Sequence, residues 1–150
     1  MKHLSDIEIM APVGCWESLA AAIEAGATSV YFGIEHLNMR SRSSANFTTQ
    51  DLHTIVERCQ EAGVKTYLTL NTVMYPEDLP LMREIVDHAK AANISAIIAS
   101  DIAALQYAYQ SGVEVHLSTQ LNIANTEALK FYAQTRHQPQ NKLCQESWQP

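Results

Sequence analysis

The sequence predicts an α/β fold, a parallel sheet covered by helices, on three observations. Four helix-like runs stop at a residue that tolerates positive φ: Gly26, Gly63, Asn93 and Gly112. Glycine has no Cβ to clash there, and asparagine stabilises the left-handed conformation locally. Within two residues of each stop a strand-like run begins: 28–32, 65–69, 95–99 and 114–118. Between these runs apolar residues recur at helical spacing. Repetition of helix, stop and strand is the pattern of alternating β and α units. It places any chemistry in the loops that follow the strand C-terminal ends.

The elements follow in order. Strand one is read over Ile7–Ala11. Helix one presents Trp16, Leu19, Ala20 and Ile23 at i, i+3, i+4, i+7. Strand two spans Ser29–Gly33, and a long loop runs from Ile34 to Phe47. Helix two opens near Thr48, expected to cap the amide of Asp51, and buries Leu52, Ile55, Val56 and Cys59. Strand three is Val64–Leu70. Helix three starts near Pro76 and buries Leu79, Met82, Ile85, Val86 and Ala89. Strand four is Ser95–Ala99. Helix four opens at Ser100 or Asp101 and shows Ile102, Leu105 and Tyr109. Strand five is Val113–Leu117, and helix five opens at Asn125 with Leu129 and Tyr132. The pattern stops near Gln134. Residues 135–150 carry four glutamines, two prolines and no apolar period, and are expected to be an irregular, disordered tail.

A chain of 150 residues fits one domain, and 47% apolar with 17% charged residues suits a globular protein. The net charge of −6 gives no bulk electrostatics for nucleic acid. No apolar run reaches membrane-spanning length and no secretory h-region follows Met1. Cys15, Cys59 and Cys144 are odd in number and scattered, which fits a reducing cytoplasm and falls short of a four-thiolate cluster. The six histidines show no zinc-ligand spacing, so no metal site is expected.

Several strand-end loops could hold a ligand. Gly14 lets the chain turn into helix one, whose first amides suit an anion; a plain structural turn is the competing reading. The loop 36–47 gathers Asn38, Arg40, Arg42 and Asn46 in an otherwise acidic chain, and the guanidinium fork suits carboxylate or phosphate. Its alternative is a solvated surface loop. Asn71 and Thr72 after strand three, and Thr119, Gln120 and Asn122 after strand five, would orient a polar ligand without supplying a strong acid or base. Helix capping is the alternative for Asn71 and Asn122. Asp101 is read as a cap ahead of a catalytic acid, and His116 as a buried neutral histidine with one hydrogen bond. Cys15 stands at a helix N-terminus, but no sequence feature supplies its base. There is no Gly-x-Ser-x-Gly elbow, P-loop or Gly-x-Gly-x-x-Gly.

Taken together these segments resemble one family. They are Met10–Glu17, Glu24–Gly33, Asn38–Arg40 with Ala45–Phe47, Tyr67–Thr72, and His116–Asn122. They resemble, in this order, the "LAPAGSLE", "NGADAVYLG", "FNAR…ANF", "YVTVNT" and "HASTQMN" segments of the collagenase-like peptidase family U32, over about residues 6–134. The resemblance implies the N-terminal part of a TIM-like (β/α) barrel, about five parallel strands each followed by a helix. It implies a peptidase, with no agreed catalytic residue. Other members act in oxygen-independent hydroxylation of tRNA uridine, ribosomal RNA cytidine or ubiquinone precursors. Several of those carry an iron–sulfur cluster on later cysteines that Cys15, Cys59 and Cys144 do not match, so no cofactor is expected on this chain.

The expectation is therefore a truncated or frameshifted U32 peptidase-like protein, with residues 1–134 as its partial barrel. Its partner would be a small anionic ligand, a peptide or an RNA. The alternatives are a hydroxylation factor, or a binding module built as a doubly wound sheet.

Overall fold

In a computed structural model of the chain, the described residues are 7–35, 37 and 47–134. The expected tail 135–150, Cys144, and the loop residues Asn38, Arg40, Arg42 and Asn46 lie outside them. The elements run β1 (Met10–Pro12), α1 (Trp16–Glu24), β2 (Ser29–Phe32), α2 (Asp51–Glu61), β3 (Lys65–Leu70), α3 (Leu79–Ala91), β4 (Ala96–Ala99), α4 (Ile102–Gln110), β5 (Val115–Leu117) and α5 (Thr126–Gln134).

The four stop residues all have positive φ, from 61° at Asn93 to 82° at Gly26. Each forms the same two-bond cap. The stop amide donates back three residues, as in Gly63 N to Gln60 O at 3.0 Å. The following amide donates back five, as in Val64 N to Cys59 O at 2.8 Å. That is the Schellman arrangement, whose residue after the stop is apolar. Here those residues are Ala27, Val64, Ile94 and Val113, all buried. One local device thus ends four helices and starts four strands.

All five strands pair in parallel, in the order β1-β2-β3-β4-β5. A doubly wound sheet reverses its strand order at a switch point. This sheet does not, so that alternative architecture is overturned. With right-handed crossovers, sequential order puts the connecting helices α1–α4 on one face. A single core fits this, since it joins Val30, Phe32, Leu68, Leu70, Ile97, Ala99 and Val115 to Leu19, Ile55, Met82, Ile85 and Ala104. The opposite face carries the alternate strand residues, among them Tyr31, Tyr67, Thr69, Ile98 and His116.

Several boundaries differ from the sequence reading. Strand one starts at Met10 rather than Ile7, and strand five at Val115 rather than Val113, because Val113 belongs to the helix cap. Pro76–Asp78 is a 3₁₀ turn, and α3 begins at Leu79. At α2 the capping is inverted: Thr48 N and Oγ1 both donate to Asp51 Oδ2 at 2.8 Å. On α4 the expected face is right at Leu105 and Tyr109, which pack against the core, and wrong at Ile102. Ile102 is 62% exposed while Ala104 and Ala108 are buried, since α4 lies close to the sheet on its small residues. On α1, Ala20 is exposed and Leu19 is buried.

Candidate functional site

The face of the sheet opposite α1–α4 opens at the C-terminal ends of the strands into a cavity of about 510 Å³. The strand register builds it in layers. Thr69 stands opposite Ile98, and Ile98 opposite His116, so three neighbouring strands each deliver one side chain to the same level. Thr69 Oγ1 donates to the Phe32 carbonyl at 3.0 Å, which satisfies a buried hydroxyl and ties β2 to β3 at this level.

Above this layer lies the polar mouth. Asn71 Nδ2 donates to Gln120 Oε1 at 3.4 Å, reaching from the end of β3 to the turn after β5. Ser118 Oγ also donates to Gln120 Oε1. The turn that carries Gln120 is fixed by its own backbone. Ser118 N donates to Ala99 O at 2.9 Å, Leu121 N to Ser118 O at 3.1 Å, and Asn122 N to Thr119 O at 3.0 Å. Asn122 sits at φ 50°, a conformation asparagine tolerates, and its Nδ2 donates to Gln120 O at 3.2 Å. The structure therefore gathers Asn71, Thr119 and Gln120 at the cavity. Asn122 shapes the turn that holds Gln120.

His116 lies in the cavity wall, buried, with Nε2 3.1 Å from Glu114 Oε1 and its ring centroid 5.1 Å from that of Tyr67. The sequence reading of a buried, hydrogen-bonded histidine describes its setting. Deeper in the sheet, Tyr67 Oη donates to Glu8 Oε1 at 2.7 Å and Lys65 Nζ pairs with Glu8 Oε2 at 2.9 Å. Partial burial opposes ionisation of Glu8, but hydrogen bonds from Tyr67, Lys65 and Ser29, with the Lys65 charge, hold its carboxyl below the ordinary value.

Asp101 is a cap, as the sequence indicates. Its Oδ1 accepts from Ala103 N at 2.8 Å, and its Oδ2 also accepts from Met74 N at 3.2 Å, binding the loop after β3 to the start of α4. Cys15 caps α1 next to Ser18, whose Oγ is 3.4 Å from its Sγ. Among the described residues, no group of three or more His, Cys, Asp or Glu is gathered as a metal ion would need. Among the lining residues, Tyr31 and Ile98 are ones that sequence reasoning does not single out, and Thr69 and His116 are ones it does not count among the ligand contacts. The signal for them is strand alternation: each lies next to a core residue, and so on the opposite face.

The model of peptidase family U32 matches residues 14–138. A collagenase of Porphyromonas gingivalis is 66% identical over 131 residues, covering 87% of this chain and 32% of the collagenase. A tRNA hydroxylation protein of Bacillus subtilis, P1, is 32% identical over 127 residues, covering 83% of this chain and 30% of its own length. A solved U32 peptidase superposes with a TM-score of 0.65 at 12% identity, covering 89% of this chain and 57% of that one. This likeness shows the fold. The chain spans about a third of the length of the curated relatives it matches.

Proposed function

The chain belongs to peptidase family U32, and we propose that it forms the substrate-orienting part of a collagenase-like protein that acts on peptides. The observation that carries this reading is the Asn71–Gln120 bridge over a concave, hydroxyl- and amide-lined cavity. Side-chain amides match the alternating donors and acceptors of an extended peptide backbone. The 66% identity to a collagenase supports the substrate class. Asn71, Thr119 and Gln120 are the proposed contacts. Asn38, Arg40, Arg42 and Asn46 are proposed to supply the anion-binding arm, and a cytoplasmic location is proposed with them. No helix among the described residues is long and apolar enough to cross a membrane.

The test is gelatin hydrolysis by the purified protein, with metal-chelator and serine-inhibitor controls. N71A/Q120A should raise KM and lower kcat/KM at least about tenfold, as expected when orienting contacts are removed. Unchanged kcat/KM would overturn the assignment.

A second reading is a hydroxylation factor for tRNA or ribosomal RNA, or for a quinone precursor. It is favoured by how the described hydroxyls are engaged. Ser118 donates to an amide oxygen and Thr69 to a backbone carbonyl, so neither is set up as a nucleophile beside a base. Loss of a hydroxylated nucleoside in a deletion strain, with gelatin hydrolysis absent, would select it.

A further inference from the structure

We infer that Ile98 is the floor of a side-chain subsite in this cavity, and that it selects a peptide whose residue beneath the Asn71–Gln120 bridge is small and aliphatic. The inference rests on the reading of the cavity as a peptide site and adds to it the kind of residue accepted there.

Ile98 sits in an interior strand, with β3 on one side and β5 on the other. Its neighbours along β4, Ile97 and Ala99, are fully buried on the core face. Ile98 itself is half-buried and lines the cavity. Strand alternation accounts for the difference, since it turns Ile98 to the face opposite α1–α4. An aliphatic side chain thus remains reachable at the bottom of a concave site, where covering it removes apolar surface from water.

The rest of the layer leaves that role to Ile98. Thr69 stands opposite it on β3 and directs its hydroxyl to the Phe32 carbonyl at 3.0 Å. Gly33 follows Phe32, which pairs with Leu68, so a glycine stands level with Thr69 and adds no side chain. On the other flank His116 holds Nε2 3.1 Å from Glu114 Oε1. Among the described lining residues there is no Asp, Glu, Lys or Arg. A charged side chain entering here would lose its water without gaining a counter-ion, which disfavours it.

Depth sets the size. Asn71 lies two residues beyond Thr69, a rise of about 6.6 Å in strand geometry. A peptide backbone held by the Asn71 and Gln120 amides therefore has the depth of one side-chain layer beneath it before it meets Ile98. A valine side chain fills that step, and an aromatic ring is too long for it. Lowering the floor should admit the ring, and raising it should shut out valine.

The test uses the full chain and the blocked tripeptides acetyl-Gly-X-Gly-amide, with X as Val, Phe or Asp, titrated by ¹⁵N NMR. Wild type should bind the Val peptide over each of the others by about tenfold, the discrimination an apolar pocket makes by fit. I98A should erase or reverse the preference for Val over Phe, a change of about tenfold, and I98V should move it the same way by less. I98F should weaken the Val peptide by about tenfold. N71A/Q120A should weaken all three peptides and leave their ratios unchanged. Urea midpoints establish that each variant is folded, and I98V keeps the test open if I98A is not. In gelatin digests, mass spectrometry of the fragment ends should show the same change of preference in I98A. If gelatin is not cleaved but the peptide ratios shift, the peptidase reading fails and the subsite stands. If gelatin is cleaved at unchanged sites by I98A, the inference fails and the peptidase reading stands. An Ile98 that only packs the fold would alter the affinity for every peptide alike. Unchanged ratios in I98V and I98F, no binding of any tripeptide, or uridine binding that responds to I98A where the peptides do not would overturn the inference.

Discussion

Asp101 offers a test that separates architecture from chemistry at the rim. Asp101→Ala removes two interactions at once. The first is the cap on Ala103 N at 2.8 Å; replacing a capping Asp by Ala costs about 1 kcal/mol. The second is the bond from Met74 N at 3.2 Å; a hydrogen bond to a charged acceptor contributes about 1.5 kcal/mol. The two act on different elements, so they add to about 2–3 kcal/mol. With a urea m-value near 2 kcal/mol/M, the midpoint should fall by about 1–1.5 M with m unchanged. Asp101→Asn keeps an acceptor and loses mainly the charge at the helix end, about 0.3–1 kcal/mol. Activity should survive Asp101→Asn. A stability of D101A within about 0.5 kcal/mol of wild type would refute the cap-and-tether account. A D101N protein of near-normal stability but no activity would refute the assignment of Asp101 as a purely architectural residue.

Four further outcomes are expected. Leu68 is fully buried, so Leu68→Ala should cost about 2–5 kcal/mol, whereas Ile102→Ser on the exposed side of α4 should stay within about 0.5 kcal/mol; urea titration of both checks the corrected helix face. Glu8 ionises more readily folded than unfolded, so its contribution is present above the ordinary value of 4.5 and lost as pH falls through its folded pKa. Stability measured from pH 6 down to 3 should fall less steeply in Glu8→Gln. Burial pushes the Cys59 thiol from 9.0 up to about 11, so between those values the unfolded chain gives up a proton that the folded chain keeps. Stability should fall as pH rises through that window, and Cys59→Ala should remove the dependence. Finally, Thr72 Oγ1 is buried with no hydrogen-bond partner among the described residues, so Thr72→Val should be neutral or slightly stabilising in the same assay.

The sequence alone determined the repeating unit. Positive-φ stops, helical stripes such as Leu52, Ile55, Val56 and Cys59, and the strand runs that follow are set within about ten residues, where sterics and local hydrogen bonds decide the outcome. The observed stops and stripe agree with that reading. It also marked Asn71, Thr119 and Gln120, because amides and hydroxyls at strand ends are visible as composition. It misplaced Ile102 on α4, since whether Ile102 or Ala104 turns inward depends on how close the helix lies to the sheet. Tertiary structure alone decided that β1 to β5 pair in sequential order, which puts α1–α4 on one face and exposes the other. Only that order brings Asn71 to Gln120 and Tyr67 to His116, residues 49 positions apart in each pair. Local propensity carries no information about which strands are neighbours. That choice belongs to the shared core, and the candidate site follows from it.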